Sequence, residues 1–578
     1  MFPTGVGEKN LPLPGTKNKK YFSFPEKSWK VRGGLSPALS ALVGNKKIYW
    51  ESQLMHWSEK IARKLIERNP EKSEYVCAAG ISPSGSVHIG NFRDIATSLF
   101  VCKALRKLGK KAKLLFSWDE FDRLRKVPVN VAKVTEGFET HIGKPYTDAP
   151  DPFGCCESYA KHFQNEFEKA LKKFGIEVEF RYQTGCYRSG QYSKYIIEAL
   201  KKRKEIFDIL DSFRTQESTP EEREQYCPVG IYCPVCGRDT TTVTAIADDC
   251  LSADYTCKCG HTGKFDFTTD FNCKLAWKID WPMRWLFEKV DFEPGGKDHA
   301  SPSGSYQTSR VIAKKIFGFE APMFQGYEFI GIKGATGKMS GSTGLNLTPE
   351  TLLKLYQPEV ILWLYSKSDP TKSFDFCFDD EILRQYFEFD KMYDAYTKGT
   401  DDEYINSIME LVVDPAKPIK TVPMAQLVSL GSVVDFNPDV LETVFTKIGT
   451  PYSKEDFLPR LELARYWLEV CAPQNMNTLR TEADKEFFET LEPGEQQSVR
   501  ILHDYIEKGN YTLDELMAYL YAIPREVYGD MDDKELKKRQ GKFFQNVYTL
   551  LISKTKGPRL YLFLYAIEPE KYLHLLKF

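Results

Sequence analysis

From Tyr75 onward, short apolar runs alternate with stripes of helical period. YVCAA (75–79) reads as a buried strand. GISPSGSVHIGNFRD (80–94) then turns the chain through Gly, Ser and Pro into a helix predicted over Ile89–Leu108. Ile95, Leu99, Cys102 and Leu105 share one face of that helix, and Gly109 suits its C-terminal stop. AKLLFSW (112–118) is the next predicted strand. A polar, Pro- and Asp-rich stretch follows (119–155), then a helix over Glu157–Phe174, a stop at Gly175 and the strand IEVEFRY (176–182). Strand–helix–strand alternation of this kind predicts an α/β fold with a doubly wound parallel sheet.

The pattern breaks at Cys227, where a Cys- and Thr-rich insert runs to Asn272. Strand and helix resume with KLAWKIDW (274–281), read as a strand, a helix near Met283–Val290, a Gly-rich turn at Gly295–Lys297, a helix near Ser305–Phe317, and the strand FQGYEFIGI (324–332). A second half of one sheet is therefore interrupted by a small module. Beyond Pro349 no strand alternation stands out, and stripes such as Leu461, Ala464, Leu468 and Cys471 predict an all-α remainder. The expected organisation is a basic N-terminal extension (1–54), two catalytic halves (55–226 and 273–370), a Cys-rich insert (227–272) and a helical domain (371–578).

A chain of 578 residues is too long for one core. Its formal net charge of −1 leaves a nucleic-acid partner open, because local basic faces matter more than the sum. No apolar run approaches the roughly 20 residues of a membrane helix, so no membrane partner is expected. Residues 1–54 hold nine Lys/Arg against three Glu but lack the apolar core of a secretory signal, and read as a flexible basic arm. Of 14 cysteines, seven fall between Cys227 and Cys273. That clustering points to metal in a reducing compartment, and a cytoplasmic location is expected.

Four stretches carry chemistry. The corner at 80–91 combines a helix N-terminus with small residues, which suits an approaching anion. Its first-turn N–H groups are expected to point outward unsatisfied. His88 and Asn91 lie on one face of the helix start as two neutral donors. Neither GxGxxG nor GxxxxGK[ST] is present, so dinucleotide and P-loop sites are not indicated. Taken alone, the corner is as well explained as a helix cap. In GIKGATGKMSGSTG (331–344), five glycines surround Lys338, with Ser340 and Ser342 after it. A mobile ammonium suits phosphoryl chemistry. CPVC (233–236) and CKC (257–259) offer Cys233, Cys236, Cys257 and Cys259 to a structural zinc ion, with Gly237 and Gly260 at the knuckle turns. The tight CxC knuckle leaves Cys227 or His261 as substitutes. Near the C terminus, Lys534, Lys537, Lys538, Arg539, Lys542, Lys554, Lys556 and Arg559 interleave with Phe543, Phe544 and Tyr548. That mixture suits RNA, although most of these residues read as a solvated helix face over core aromatics.

HIGN on the first strand–helix corner, followed about 250 residues later by KMSGS, resembles the paired HIGH and KMSKS elements of class I aminoacyl-tRNA synthetases. Resemblance to class I lysyl-tRNA synthetases is carried by GISPSGSVHIGNFRD, SWDEFDRLRKVP (117–128), PDPFG (150–154), WKIDWPMRW (277–285), VDFEPGGKDH (290–299) and GKMSGSTG (337–344). The resemblance implies a Rossmann-type catalytic domain with a zinc-ribbon-like insert and an all-α C-terminal domain that reads the anticodon. It implies ATP-dependent attachment of L-lysine to tRNA(Lys) through a lysyl-adenylate, with Mg2+, and no DNA partner. ATP would be held by Ser84, Gly85, His88, Gly90, Asn91, Gly296, Asp298, Lys338 and Met339, and lysine by Gly80, Ser82, Trp277, His299 and Tyr327. Catalytic roles fall to His88, Asn91, Lys338, Ser340 and Ser342, and the insert would face the tRNA acceptor end. Two positions depart from the family's pattern. Asn91 replaces the last His of HIGH, and Gly341 replaces the second Lys of KMSKS, whose charge Lys333 or Lys297 would have to supply. A glutamyl- or glutaminyl-type synthetase, a nucleotidyltransferase of the HxGH kind and an inactive RNA-binding relative are the competing readings.

Overall fold

A computed structural model describes residues 55–214, 218–333, 347–450 and 452–578. The basic arm (1–54) and most of the Lys338 loop, including Lys338, Met339, Ser340, Gly341 and Ser342, lie outside the described residues.

Helix α1 (Trp57–Arg68) precedes β1 (Glu74–Ile81), α2 (Ile89–Lys107), β2 (Lys111–Trp118), α3 (Tyr159–Lys173) and β3 (Glu179–Tyr182). The insert carries β4 (Val229–Ile231), β5 (Thr241–Ile246), β6 (Ser252–Cys257) and β7 (Thr262–Asp266), and β8 (Cys273–Leu275) closes it by pairing with β4. Helix α4 (Trp277–Glu288), β9 (Phe292–Gly296), α5 (Ser305–Lys315), β10 (Met323–Tyr327), β11 (Ile330–Ile332), α6 (Pro358–Lys367) and β12 (Phe374–Phe376) complete the mixed region. The main sheet has the order β10-β9-β1-β2-β3, and every pairing is parallel. The order reverses between β1 and β9. That is the switch point at which doubly wound sheets bind ligands, beyond the strands' carboxyl ends. The two strands share a single registered pair, Cys77 with Phe292, and β1's last residues bond only to β2 on the other side. A crevice opens there.

Burial explains the elements. The centre of β1 is buried without alternation, as a central parallel strand requires, and 14 of the 19 residues of α2 are buried, because the helix is packed on all sides. The same apolar core continues from the sheet through α6 into helices as far as Ala472 and takes in Ala566, whereas most buried residues from Phe488 to Leu576 form a second core. Leu461, Ala464 and Leu468 face the larger core from α7 (Lys454–Val470), as their spacing predicts. Among the described residues no helix is long and apolar enough to cross a membrane.

The structure differs from the sequence reading at four places. KLAWKIDW is not a strand: β8 stops at Leu275, and residues 277–288 are helical despite Pro282. Leu275, Trp277, Ile279 and Trp281 mimic period two, but Trp277, Trp281 and Trp285 also stand one helical turn apart, and packing of that aromatic face decides. FQGYEFIGI splits into β10 and β11, and β11 pairs with β12 in a separate two-stranded sheet, so the C-terminal third is not strand-free. The polar stretch after β2 owns a small core of Leu124, Val131, Phe138, Tyr146 and Ala149 against Tyr159, Ala160 and Phe163. Its apolar residues are too irregularly spaced to show a period.

Candidate active site

The carboxyl ends of β1, β2, β9 and β10 surround a cleft of about 750 Å3. Gly80, Ser82, Asn91, Trp277, Gly296, His299 and Tyr327, predicted from four separate segments, all line it. The corner is built locally. Ser84 N–H donates to Ser82 C=O (2.8 Å), and Tyr159 Oη donates to Ser84 C=O (2.9 Å) while Gly85 is buried. His88 caps α2, its Nδ1 accepting the Asn91 N–H at 3.3 Å. A side chain at Gly90 would come within 2.9 Å of the His88 ring, so glycine there keeps the imidazole in its capping position. The expected row of open helix N–H groups is not found. Ile89 N–H donates to Leu347 C=O (2.9 Å) and Asn91 N–H to His88, so an anion would meet the helix dipole and side chains rather than a free backbone nest.

On the other side, β9 runs through Pro294 and two glycines into a short 3-10 turn (Lys297–Ala300) carrying Asp298 and His299. A Cβ on Gly295 would meet the Phe324 ring at 2.7 Å, which explains a glycine where β9 approaches β10. His299 Nδ1 lies 2.6 Å from Ser305 Oγ, and its ring meets Trp281 edge-on at 5.8 Å. Trp277 stacks on Trp281 at 5.1 Å, and Trp281 leans on Trp285 at 4.8 Å. This aromatic wall is what WKIDWPMRW encodes. Lys297 pairs with Glu328 (2.9 Å) and Lys333 with Asp379 (2.7 Å), so both cations considered as substitutes for the missing KMSKS lysine are engaged.

The carboxylates of the cleft are what sequence reasoning missed. Asp94, one turn into α2, is buried and accepts the Gly80 N–H at 3.1 Å and a hydrogen bond from Tyr327. Burial, with the Glu293 charge nearby, pushes its carboxyl well above the ordinary range. No cation pairs with it among the described residues. Glu293 of β9 accepts from Trp285 Nε1 at 2.6 Å, and burial lifts it to about 6. At the cleft floor, Arg284 Nη1 meets Asp119 at 2.5 Å and its Nε stands 3.4 Å from Asp280, while Tyr187 Oη donates to Asp280 at 2.5 Å. Lys274 Nζ bonds to Asp122 and stands 3.7 Å from Asp280. Ser82 Oγ donates to Asp122 Oδ2 at 2.9 Å. Three carboxylates therefore face two cations on the floor, Asp94 and Glu293 stand beside them, and Arg123 and Arg125 also line the cleft. The one signal in the sequence was an Asp set inside a helix that is otherwise buried all round.

The four predicted cysteines converge. Cys233 and Cys259 sulfurs are 3.7 Å apart, as are those of Cys236 and Cys257, and all four lie within 4.8 Å of one another. Tetrahedral zinc with Zn–S of about 2.3 Å needs sulfurs roughly 3.8 Å apart, so the donor set fits. Although burial opposes it, hydrogen bonds from the Cys259 backbone and the Thr240 hydroxyl bring the Cys257 thiol down to about 6. Gly237 and Gly260 adopt φ of 71° and 92° at the two knuckles. Cys227 and His261 are not among the four, and Cys227 Sγ turns to Val229 C=O at 3.5 Å. A second group went unnoticed in the sequence: Asp151, Cys155, Cys156 and His162 also hold ligand-type atoms within 4.8 Å.

The family model for class I tRNA synthetases (K) matches residues 55–413. A lysine–tRNA ligase of Pyrococcus horikoshii is 35% identical over 531 residues, covering 89% of this chain and 98% of that one. Another of Treponema pallidum is 34% identical over 529 residues, covering 89% and 97%. The solved structure of a glutamate tRNA ligase from Elizabethkingia meningosepticum aligns at TM-score 0.42 and 14% identity over 87% of this chain and 98% of that one.

Proposed function

The chain belongs to the class I tRNA synthetase (K) family, and on that premise we propose that it is a lysine–tRNA ligase, joining L-lysine to tRNA(Lys) through a lysyl-adenylate. The lysine carboxylate attacks the α-phosphate of ATP in line, forming the mixed anhydride and releasing pyrophosphate. A ribose hydroxyl of the terminal adenosine of tRNA then attacks the lysyl carbonyl, and AMP leaves. Neither step needs a nucleophile from the protein, so positioning and electrostatic stabilisation carry the acceleration. Mg2+ accompanies ATP and neutralises phosphate charge.

The observation that carries the lysine reading is Asp94, a buried carboxyl with no cationic partner among the described residues, in a cleft with excess negative charge. An ε-ammonium would complete it. A glutamate side chain in the same place would face the Glu293 carboxylate with like charge, which disfavours the glutamyl alternative. Gly80, Ser82, Trp277, His299 and Tyr327 complete the lysine pocket on this reading. Ser84, Gly85, His88, Gly90, Asn91, Gly296 and Asp298 hold ATP, and Lys338, Met339, Ser340 and Ser342 close on its phosphates and base. Residues 55–226 and 273–370 form the catalytic domain, the zinc-bearing insert (227–272) meets the tRNA acceptor end, and the helical domain (371–578) meets the anticodon.

ATP–pyrophosphate exchange with each amino acid in turn, with and without tRNA, tests this. Exchange is expected with lysine alone and only when tRNA is present. Exchange driven by glutamate, or none with any amino acid in the presence of tRNA, would overturn the assignment.

A further inference from the structure

Three consecutive residues at the floor of the cleft, Phe121, Asp122 and Arg123, are each gripped by a different piece of the cysteine insert or its closing strand. Tyr232 Oη, just before the first knuckle, donates to Phe121 C=O at 2.6 Å. Lys274 of β8 pairs with Asp122. Arg123 Nη1 pairs with Asp239 Oδ2, just past the first knuckle, at 2.6 Å. The grip extends along the same loop: Asp239 N–H donates to Gly143 C=O (2.9 Å) and Arg238 Nη2 to Thr140 C=O (2.6 Å). Asp122 in turn accepts the Ser82 hydroxyl, which lines the cleft.

We propose that the cysteine insert positions the amino-acid pocket, with Arg123–Asp239 and Lys274–Asp122 acting as positioning pairs that hold Ser82 toward lysine. The inference rests on the lysine reading of the cleft. Its physical basis is the two ends of the linkage. At the insert, four converging cysteine sulfurs and the left-handed Gly237 fix the knuckle that carries Arg238 and Asp239. At the cleft, Asp122 spends one oxygen on Lys274 and the other on Ser82, so displacing the loop removes the acceptor that orients the serine. Residues 121–123 lie beyond β2, which ends at Trp118, and their own backbone ties run to the neighbouring loop, through an Arg123–Pro145 bridge and the Tyr146 N–H on Asp122 C=O (2.9 Å). The insert adds the side-chain ties that fix this loop against the cleft. A domain placed to meet tRNA would thus also govern how well the amino acid is held.

The test uses the full chain loaded with zinc. Lysine affinity is read from quenching of the cleft tryptophans, and the KM values of lysine and ATP are read from pyrophosphate exchange with tRNA. Asp239→Ala is expected to weaken lysine about three- to fivefold, with ATP KM, zinc content and melting temperature unchanged, as suits an exposed pair. The charge-swapped double variant Arg123→Asp, Asp239→Arg should recover lysine affinity. Lys274→Met, which strands a half-buried carboxylate, should weaken lysine at least about a hundredfold, and Lys274→Arg should restore most of it. If Asp239→Ala leaves lysine affinity unchanged, or shifts lysine and ATP alike with no recovery in the swapped variant, the inference fails. Failure of the lysine reading itself is distinct, since the wild-type chain would then show no lysine titration at all.

Discussion

Asp94→Asn gives the sharpest test of the cleft, because it is expected to move stability and lysine affinity in opposite directions. An ammonium about 4 Å from a carboxylate gains roughly 4 kcal/mol at an effective dielectric of about 20. Truncating one member of a buried pair costs about 2–5 kcal/mol. Part of that is offset near neutral pH, because burial raises the Asp94 carboxyl and lysine must first displace a proton. The expected net loss is about 2–3 kcal/mol, or roughly 30- to 150-fold in lysine affinity. Stability has the other sign. A carboxyl raised on folding binds its proton more tightly in the folded state, so its contribution is most favourable at low pH and is lost as pH rises through the folded value. Glu293 sets the scale: lifted from 4.5 to about 6, it costs the folded state about 2 kcal/mol near neutral pH. Asp94→Asn removes a penalty of this kind and should raise the melting temperature of the catalytic unit at neutral pH, with the gain fading as pH falls toward 4. Lysine titration by tryptophan fluorescence and melting curves across pH 4–8 read both effects. Lysine affinity within threefold of wild type, or a lower melting temperature at neutral pH, would refute the assignment of Asp94 as the ammonium's partner.

Gly90→Ala should push the His88 ring from its capping position and lower the adenylation rate by about 10- to 100-fold, measured by single-turnover adenylate formation. Lys338→Ala should lower that same rate while lysine affinity stays near wild type; lost affinity with an intact rate would contradict a role at the phosphates. Lysine affinity itself should fall as pH drops below about 6, where Glu293 gains its proton, and a flat profile from pH 5 to 8 would remove that carboxylate from lysine recognition. Cys236→Ser should lower zinc content by about one equivalent and expose the insert to proteolysis, because a ribbon this small has little core without its metal. Elemental analysis of that variant beside Cys155→Ser, Cys156→Ser tells whether the second ligand group adds an equivalent.

The sequence by itself determined the alternation of elements, the corner at 80–91, the cysteine knuckles and, through six ordered strings, the family. These are local properties. A glycine beside a cap, two cysteines across a turn, or an apolar run between breakers keeps its meaning wherever the segment ends up. Even so, the period of KLAWKIDW fitted strand and helix alike, and only the packing of Trp277, Trp281 and Trp285 against the cleft decided between them. What the sequence could not yield was which charges meet. Asp94 and Glu293 are separated by about two hundred residues, as are Ser82 and Lys274, and each alone looks like an ordinary polar residue. The fold removes these groups from water and leaves three carboxylates against two cations on one floor. Burial then raises the Asp94 carboxyl above its ordinary range, because desolvation and the charge of a neighbour act through space and leave no trace in local sequence.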